Sequence, residues 1–415
     1  MARLGKFFAV KKQLPEKEFI VLFAILTSLT ALSIDAMLPA FPNISRDLNI
    51  QDYQHTQWII SALIFGMMFG EIIFGPLSDA IGRKSSILLG VAIYLIGTVM
   101  ALCADSLWML LAGRVVQGFG VAGPKIASRA LIRDLYQGAP MARIMSYVMV
   151  IFILVPMLAP AFGQLIMQLG HWRWIFAALM IQALIASLWL ICRQEETLPK
   201  DRRLPLEASR LLKSAKFILS RKDVVAYTGI AGLIFGGLML YLSIAQSIFQ
   251  DVYQLGDNFP LYFAMMASGS GLANLLNARI VLRVGMRFCV ALALILMFSM
   301  AGLLSGLSIL YSGVPPFWLF IVLGIGMFAC LGMVFGNINA LAMEPLGKVA
   351  GLAAAMISSA SSLVAIVAAT LMGQFYHFTV TPLAFGFLIF SGLSYLLLRY
   401  ASHYQHEEQT ASDTQ

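Results

Sequence analysis

Charged residues are scarce in this chain: Asp, Glu, Lys and Arg together make up 12% of its 415 residues. Soluble domains usually contain about 25% charged residues. Apolar residues reach 60%, against about 45–50% in soluble domains. The composition therefore excludes an ordinary soluble protein and indicates an integral membrane protein.

Residues for metal, disulfide and nucleotide chemistry are also few. The four cysteines lie in or beside different apolar segments and lack the spacing of a metal site or a disulfide framework. The five histidines fall in predicted loops or tails and form no cluster. The sequence contains no Gly-x-x-x-x-Gly-Lys loop for nucleotide phosphates. We therefore expect no metal, no cofactor and no catalytic residues, with a lipid-modifying enzyme left open as the less favoured alternative.

Long apolar segments dominate the sequence instead. A membrane-spanning helix needs about 20 such residues, and a chain of such segments forms helices because every backbone polar group in hydrocarbon must bond internally. The sequence thus predicts an all-α membrane protein. Twelve spans are expected, near residues 18–40, 56–76, 86–104, 107–128, 143–168, 173–192, 224–248, 260–281, 288–311, 317–341, 351–374 and 380–398.

The net charge of +8 raises the question of a nucleic-acid partner. If the N-terminus is cytoplasmic, 24 of the 28 Lys and Arg residues fall in cytoplasmic segments. This asymmetry is the positive-inside pattern of membrane proteins. The positive charge therefore indicates the topology, with both termini in the cytoplasm. It indicates a protein in a lipid bilayer and no nucleic-acid partner.

One long charged segment, residues 193–223, separates six predicted spans from the other six. We expect an N-terminal six-helix bundle over residues 1–192, a cytoplasmic linker over 193–223, a C-terminal six-helix bundle over 224–400 and a cytoplasmic tail over 401–415.

A short motif between the second and third spans is the most specific signal. Gly75–Lys84 reads GPLSDAIGRK and is expected to form a turn at the membrane surface. It resembles the signature loop between helices 2 and 3 of the major facilitator superfamily of secondary transporters. The resemblance implies that Asp79 and Arg83, with Gly75 and Gly82, take part in conformational gating and do not contact substrate.

Three further motifs narrow the resemblance. Asp35 is followed by Leu-Pro-Ala-Phe-Pro, ALIRDLY spans Ala130–Tyr136, and EETLP spans Glu195–Pro199. Together they resemble the Bcr/CflA branch of drug:proton antiporters. This resemblance implies two six-helix bundles around a central cavity and proton-driven export of small molecules.

Asp35 is the leading candidate for proton coupling. A charged carboxylate at the centre of a membrane helix costs roughly 2.5–3.5 kcal/mol, so its protonation responds to its surroundings. The alternatives are a structural ion pair and a carboxylate close enough to the outer surface to stay hydrated.

Arg114 opens the segment RVVQG in the fourth span, which resembles the family's fourth-helix motif implicated in proton coupling. A fixed cation near a titrating acid favours deprotonation of that acid. The alternative is a structural arginine that holds backbone carbonyls. Gln117, in the same motif, is expected to line the substrate cavity.

Two more charged residues lie within predicted spans. Glu71 is a candidate proton carrier or cation site, with an ion pair to a basic residue of a neighbouring helix as the alternative. Lys125 is a candidate cavity residue that neutralises Asp35 or Glu71 or binds an anionic substrate group. Alternatively, its side chain extends to the inner surface.

Pro156, Pro160 and Gly163 in the fifth span resemble the antiporter motif and form a candidate hinge. The match is partial, because Ala159 precedes the second proline and Gln164 replaces the last glycine.

In the second half, the polar candidates are Asn274 and Asn277 in the eighth span and Asn337 and Asn339 in the tenth. Of these, Asn274 and Asn337 are expected to line the substrate cavity. Hydrogen bonding between helices is the alternative role for these amides.

The sequence as a whole predicts a proton-coupled exporter of small, largely apolar drugs or metabolites that works by alternating access as a monomer in a bacterial-type inner membrane. In this mechanism a proton neutralises Asp35 and weakens its pairing with Arg114 or Lys125. A proton symporter for uptake of a small metabolite, and a non-transporting sensor on the same scaffold, are the alternatives.

Overall fold

The computed structural model describes residues 14–51, 53–136, 155–203, 216 and 218–413. Its regular elements are helical. Twelve long helices account for most of the described chain: α1 (Glu16–Asp35), α2 (Trp58–Ile81), α3 (Arg83–Leu102), α4 (Leu107–Leu135), α5 (described over Val155–Leu169), α6 (Arg173–Arg193), α7 (Lys222–Ser247), α8 (Phe259–Val284), α9 (Met286–Leu310), α10 (Phe317–Met343), α11 (Ala350–Gly373) and α12 (Thr381–Asp413).

The chain forms two compact units, Met1–Glu207 and Ala208–Gln415. The first contains α1–α6 and the second contains α7–α12. The division between them falls inside the charged segment 193–223. Most of that segment's second half lies outside the described residues.

Nine helices within the described ranges are long and apolar enough to cross a membrane. The shorter described part of α5 is also apolar. The other two long helices, α4 and α8, have 29 and 26 residues, and basic residues interrupt their apolar sequence. The chain is thus an all-α, multi-pass membrane protein, and its described residues contain twelve long helices in the expected order.

The first predicted span is not one continuous helix. Instead, α1 ends at Asp35, and the chain continues through a 3₁₀ turn, Leu38–Ala40, into a short helix, Phe41–Asp47. Pro39 and Pro42 lack the N–H groups that an uninterrupted α-helix would need. Asp35 therefore occupies the C-terminal end of α1, inside a 32-residue apolar segment that runs from Glu16 to Asp47.

Helix α4 packs tightly against both α2 and α3. A Cβ added at Gly118 would overlap the carbonyl oxygen of Leu63 on α2, and one added at Gly120 would overlap the backbone at Tyr94 on α3. Small residues let membrane helices approach this closely. The backbone that positions Arg114, Gln117 and Lys125 is therefore fixed from two sides.

Candidate functional site

Asp35 is almost completely buried, with 3% of its surface exposed. Its Oδ1 atom has no hydrogen-bond partner. Within the described part of the chain, neither Arg114 nor Lys125 forms an ion pair with it. The pairing that the sequence suggested for Asp35 is therefore absent from this conformation. A buried carboxylate without a compensating cation is costly when ionised.

Arg114 is fully buried and binds backbone carbonyls. Its Nη2 donates to the carbonyl of Ser33 at 2.6 Å, and its Nε donates to that of Ile59 at 3.2 Å. Ser33 lies in the last turn of α1, where carbonyls lack intrahelical partners and the helix dipole is negative. The guanidinium therefore caps α1 two residues before Asp35. These contacts match the structural alternative that the sequence left open.

Gln117 belongs to a buried polar network between α1, α3 and α4. Its Oε1 accepts from Arg114 Nη1 at 2.7 Å, and its Nε2 donates to Thr98 Oγ1 at 2.9 Å. Tyr94 and Ser33 share a hydroxyl–hydroxyl bond of 2.8 Å beside it. Both ends of the Gln117 amide are thus engaged in orienting Arg114. Its predicted place in a substrate cavity stays a prediction.

The candidate hinge on α5 meets the chain directly after Asp35. A Cβ added at Gly163 would overlap the carbonyl oxygen of Ala36 and approach Pro39 at 3.1 Å. Pro156 and Pro160 lie on the same helix, seven and three residues earlier. The structure thereby brings the α5 motif and the end of α1 together, and the hinge role itself stays a prediction.

Glu71 and Lys125 form an ion pair between α2 and α4. Glu71 is completely buried, whereas the Lys125 side chain is 19% exposed and also lies 3.8 Å from Met67 Sδ. The second carboxylate oxygen of Glu71 has no partner. The sequence suggested Asp35 or Glu71 as the partner of Lys125, and in the structure the partner is Glu71.

The motif Gly75–Lys84 is far more helical than the turn that the sequence predicted. Helix α2 continues through Gly75 and Pro76 to Ile81, and α3 begins at Arg83. Gly82 alone reverses the chain, with φ 106° and ψ 157°. Glycine reaches this conformation because it has no Cβ, so a single residue suffices where ten were expected.

Arg83 connects three polar groups at this turn. It pairs with Asp79, donates to Ser78 Oγ at 2.7 Å and donates to Asp134 Oδ2 at 3.0 Å. Asp134 is the aspartate of the ALIRDLY motif, near the end of α4. The Gly75–Lys84 motif and the ALIRDLY motif are thereby joined within the first unit.

Glu196 makes structural contacts at this turn, and the sequence assigned it no individual role. Its carboxylate accepts from the backbone N–H of Arg83 at 2.8 Å and of Ser85 at 3.3 Å. The first N–H groups of a helix need such acceptors, and Gly82 has no side chain to supply one. The EETLP motif therefore caps α3 from 113 residues away. The sequence did contain a signal for this contact. Glycine at the N-cap position of α3 has no side chain, so the cap must come from elsewhere in the chain.

The corresponding turn of the second unit provides a matched control for Gly82. Gly285, between α8 and α9, has φ 82° and ψ 157°, and a Cβ added there meets nothing within 4 Å. At Gly82 a Cβ would overlap the Glu196 carboxylate. Both positions thus share the backbone conformation, and only Gly82 is also enclosed.

We expect Gly82→Ala to destabilise the protein more than Gly285→Ala. Each alanine introduces backbone strain of about 1–3 kcal/mol, and Gly82→Ala additionally displaces the cap of α3. The melting temperatures of the two purified variants in the same detergent measure the difference. Equal melting temperatures would contradict the role assigned to Glu196.

In the second unit, Asn337 on α10 and Asn277 on α8 bond reciprocally, at 2.8 and 3.4 Å. Asn337 also donates to the carbonyl of Met333 at 2.9 Å. These bonds fit the interhelical alternative for Asn337. Asn274 lies about one turn before Asn277 and is half-buried. The cavity roles of Asn274 and Asn337 stay predictions.

Among the described residues, no three His, Cys, Asp or Glu side chains lie together in a way that could hold a metal ion.

Comparisons with known proteins bear on the whole chain. The family model described as Major Facilitator Superfamily matches residues 23–369. The bicyclomycin resistance protein homolog of Haemophilus influenzae is 30% identical, over 92% of this chain and 96% of that protein. Multidrug resistance protein D of Escherichia coli is 24% identical, over 81% of this chain and 84% of that protein.

Solved structures share the fold. The xylose transporter XylE from E. coli aligns with a TM-score of 0.71 at 13% identity, over 94% of this chain and 97% of that one. The human organic anion transporter MFSD10 aligns with a TM-score of 0.63 at 19% identity, over 94% of this chain and the whole of that one. At these identities the likeness concerns the fold alone.

Proposed function

Because this chain belongs to the major facilitator superfamily, we propose that it is a proton-coupled secondary transporter that exports small, largely apolar drugs or metabolites in exchange for protons. Relatives that match over most of their length are named as bicyclomycin and multidrug resistance proteins. The observation that carries the proton-coupled part of the proposal is Asp35, a buried carboxylate without an ion-pair partner among the described residues.

Asp35 carries the proton in this proposal. When the carboxyl is neutral, its burial costs little; when it is ionised, it favours a conformation in which water or a cation reaches it. Arg114 holds the adjacent end of α1 and thereby links the position of Asp35 to α4. Arg114 is thus a positioning residue for the coupling step, and Glu71 as a second proton carrier stays a prediction.

The cluster of Asp79, Arg83 and Asp134 is the gating element in this proposal. Its ion pairs are within one unit, so they stiffen the turn between α2 and α3 in one access state. Rearrangement of these charges accompanies the change of access. We further propose that the protein works as a monomer in the bacterial cytoplasmic membrane, with both termini in the cytoplasm.

The test uses everted membrane vesicles with an imposed pH gradient and a pH-sensitive dye. Cationic, neutral, zwitterionic and anionic compounds are added in turn to vesicles that contain or lack the protein. We expect at least one compound class to release protons from the acidic lumen only when the protein is present. Silence across a broad panel would contradict proton-coupled export.

Proton-coupled uptake is the second candidate, favoured by the fifth-helix motif. At Ala159 and Gln164 this chain departs from the antiporter motif, so the motif gives weaker support for export. The direction of proton flow separates the two functions, because a symporter carries protons and substrate the same way. Compound binding without any transport would instead indicate the sensor.

A further inference from the structure

A second polar cluster lies at the opposite end of the segment that follows Asp35. Asp47 ends the short helix Phe41–Asp47, and its Oδ2 atom accepts two side-chain bonds. His171 Nε2 lies 2.6 Å away and Trp172 Nε1 lies 2.8 Å away. Trp172 is completely buried at the start of α6. The cluster therefore joins the α1 segment to α6 across 124 residues of sequence.

Arg173 extends this cluster to the end of α3. Its Nε and Nη2 donate to the carbonyls of Leu102 and Ala104 at 3.1 and 2.6 Å, and its guanidinium lies 4.3 Å from the centre of the Trp172 ring. Backbone carbonyls at a helix C-terminus are the acceptors that arginine satisfies well. The ends of three segments are thus held together by side chains from one short stretch.

Two sets of contacts hold the chain around and beyond Asp35. Close to Asp35, Arg114 holds the carbonyl of Ser33 before it, and Gly163 packs on the carbonyl of Ala36 after it. Farther along, twelve residues beyond Asp35, Asp47 is bound to α6. Residues 36–41 are buried, and Phe41–Asp47 form one short helix. A shift of Asp47 therefore moves that helix, and the packed backbone of residues 36–41 transmits the shift to Asp35.

The hydrogen bonds of His171 define how it responds to a proton. Its Nδ1 accepts from the backbone N–H of Arg173 at 3.3 Å, so the neutral ring carries its hydrogen on Nε2 and donates to Asp47. A second proton, on Nδ1, makes the ring positive, so the bond between Nε2 and Asp47 becomes an ion pair. The protonated Nδ1 no longer accepts from the backbone N–H of Arg173. Among the described residues, the other charged groups at this cluster are Arg173, Asp105, whose Oδ1 lies 3.7 Å from Arg173 Nη2, and Arg46, which precedes Asp47 in sequence.

We propose that Asp47 is a positioning residue for Asp35 and that protonation of His171 tightens this hold when the outer side of the membrane is acidic. The proposal rests on the proposed function for the role of Asp35 and for the outer location of the cluster. His171 and Asp47 are 44% and 34% exposed, so external protons reach them. Histidine is the side chain that ordinarily changes charge between about pH 5 and pH 8.

Hydrogen–deuterium exchange of the full-length protein in lipid nanodiscs tests the proposal without a known substrate. Exchange of peptides covering residues 36–47 is measured at about pH 5.5 and about pH 7.5 and corrected for the intrinsic pH dependence of exchange. For the wild type we expect exchange roughly 2- to 5-fold slower at the acidic pH, the range of a partly exposed ion pair.

Two variants and one control isolate the titrating group. His171→Gln keeps an amide donor for Asp47 but does not titrate, so its exchange should show no acid-induced slowing. Asp47→Asn keeps an acceptor for Trp172 but removes the charge, and it should also lose the pH response. His55→Gln changes a histidine whose ring lies 4.2 Å from that of Trp58, outside this cluster, and should retain the wild-type response.

A wild type without acid-induced slowing, or a His171→Gln variant that responds like the wild type, would overturn the proposal. Failure of the proposed function can be distinguished from failure of this proposal, because it is measured separately, as the absence of proton release in the vesicle assay. Exchange at residues 36–47 is measured independently of any transported compound.

Discussion

Replacement of Asp35 by Asn is expected to abolish proton-driven transport while the protein stays folded. The substitution removes a titrating group from a site where its Oδ1 atom has no hydrogen-bond partner. Asparagine has nearly the same shape as the neutral acid and no charge, so it avoids the cost of burying an ionised carboxylate. Loss of transport with unchanged folding would therefore reflect lost coupling.

The expected loss is large because the proton supplies the driving energy. One charge moved across 100 mV is worth roughly 2.3 kcal/mol, which supports a roughly 50-fold concentration ratio of a neutral substrate. In Asp35→Asn vesicles this ratio should fall to 1, with substrate binding retained. Dye-reported proton release and substrate accumulation, measured with the same compound, check both parts.

Asp201→Asn is a matched control for this experiment. It makes the same chemical change at an exposed carboxylate in the segment between the sixth and seventh helices. Proton release should match the wild type in this variant. Uphill transport that persists in Asp35→Asn would refute the assignment of Asp35 and direct attention to Glu71.

The order of the helices and the position of the charged motifs could be predicted from the sequence, because both depend on local composition. Apolar length predicts the spans, and the spacing of Gly, Asp and Arg predicts the α2–α3 connection. Even there, the sequence suggested a ten-residue turn where Gly82 alone reverses the chain. Pro76 and Gly75 are tolerated inside α2, which helix propensity alone does not predict.

The partners of the buried charges could not be predicted in the same way. Which carbonyl Arg114 binds depends on where α1 ends, and that end is set by packing against α5 as well as by Pro39. Glu196 accepts from backbone N–H groups, which every residue except proline possesses. Such contacts do not require particular residue types, so they cannot be recognised in the sequence. They depend on how distant parts of the chain pack together.

Removal of either partner of the ion pair between Glu71 and Lys125 is expected to destabilise the protein strongly. Removing one partner of a buried pair leaves an uncompensated charge and typically costs about 3–5 kcal/mol. Lys125→Met is the more damaging single change, because Glu71 is completely buried and cannot reach water. The yield of folded protein and its melting temperature in detergent should fall in Lys125→Met and, to a smaller extent, in Glu71→Gln.

The double variant Glu71→Gln/Lys125→Met separates an ion pair that joins two helices from a group that carries protons. Replacing both partners removes both buried charges, so stability should recover most of the loss. The contacts favour the joining role, since Lys125 holds Glu71 directly across the closely packed α2–α4 interface. We therefore expect the double variant to retain compound-triggered proton release in vesicles. A double variant that is as stable as the wild type but releases no protons would instead assign the second coupling carboxylate to Glu71.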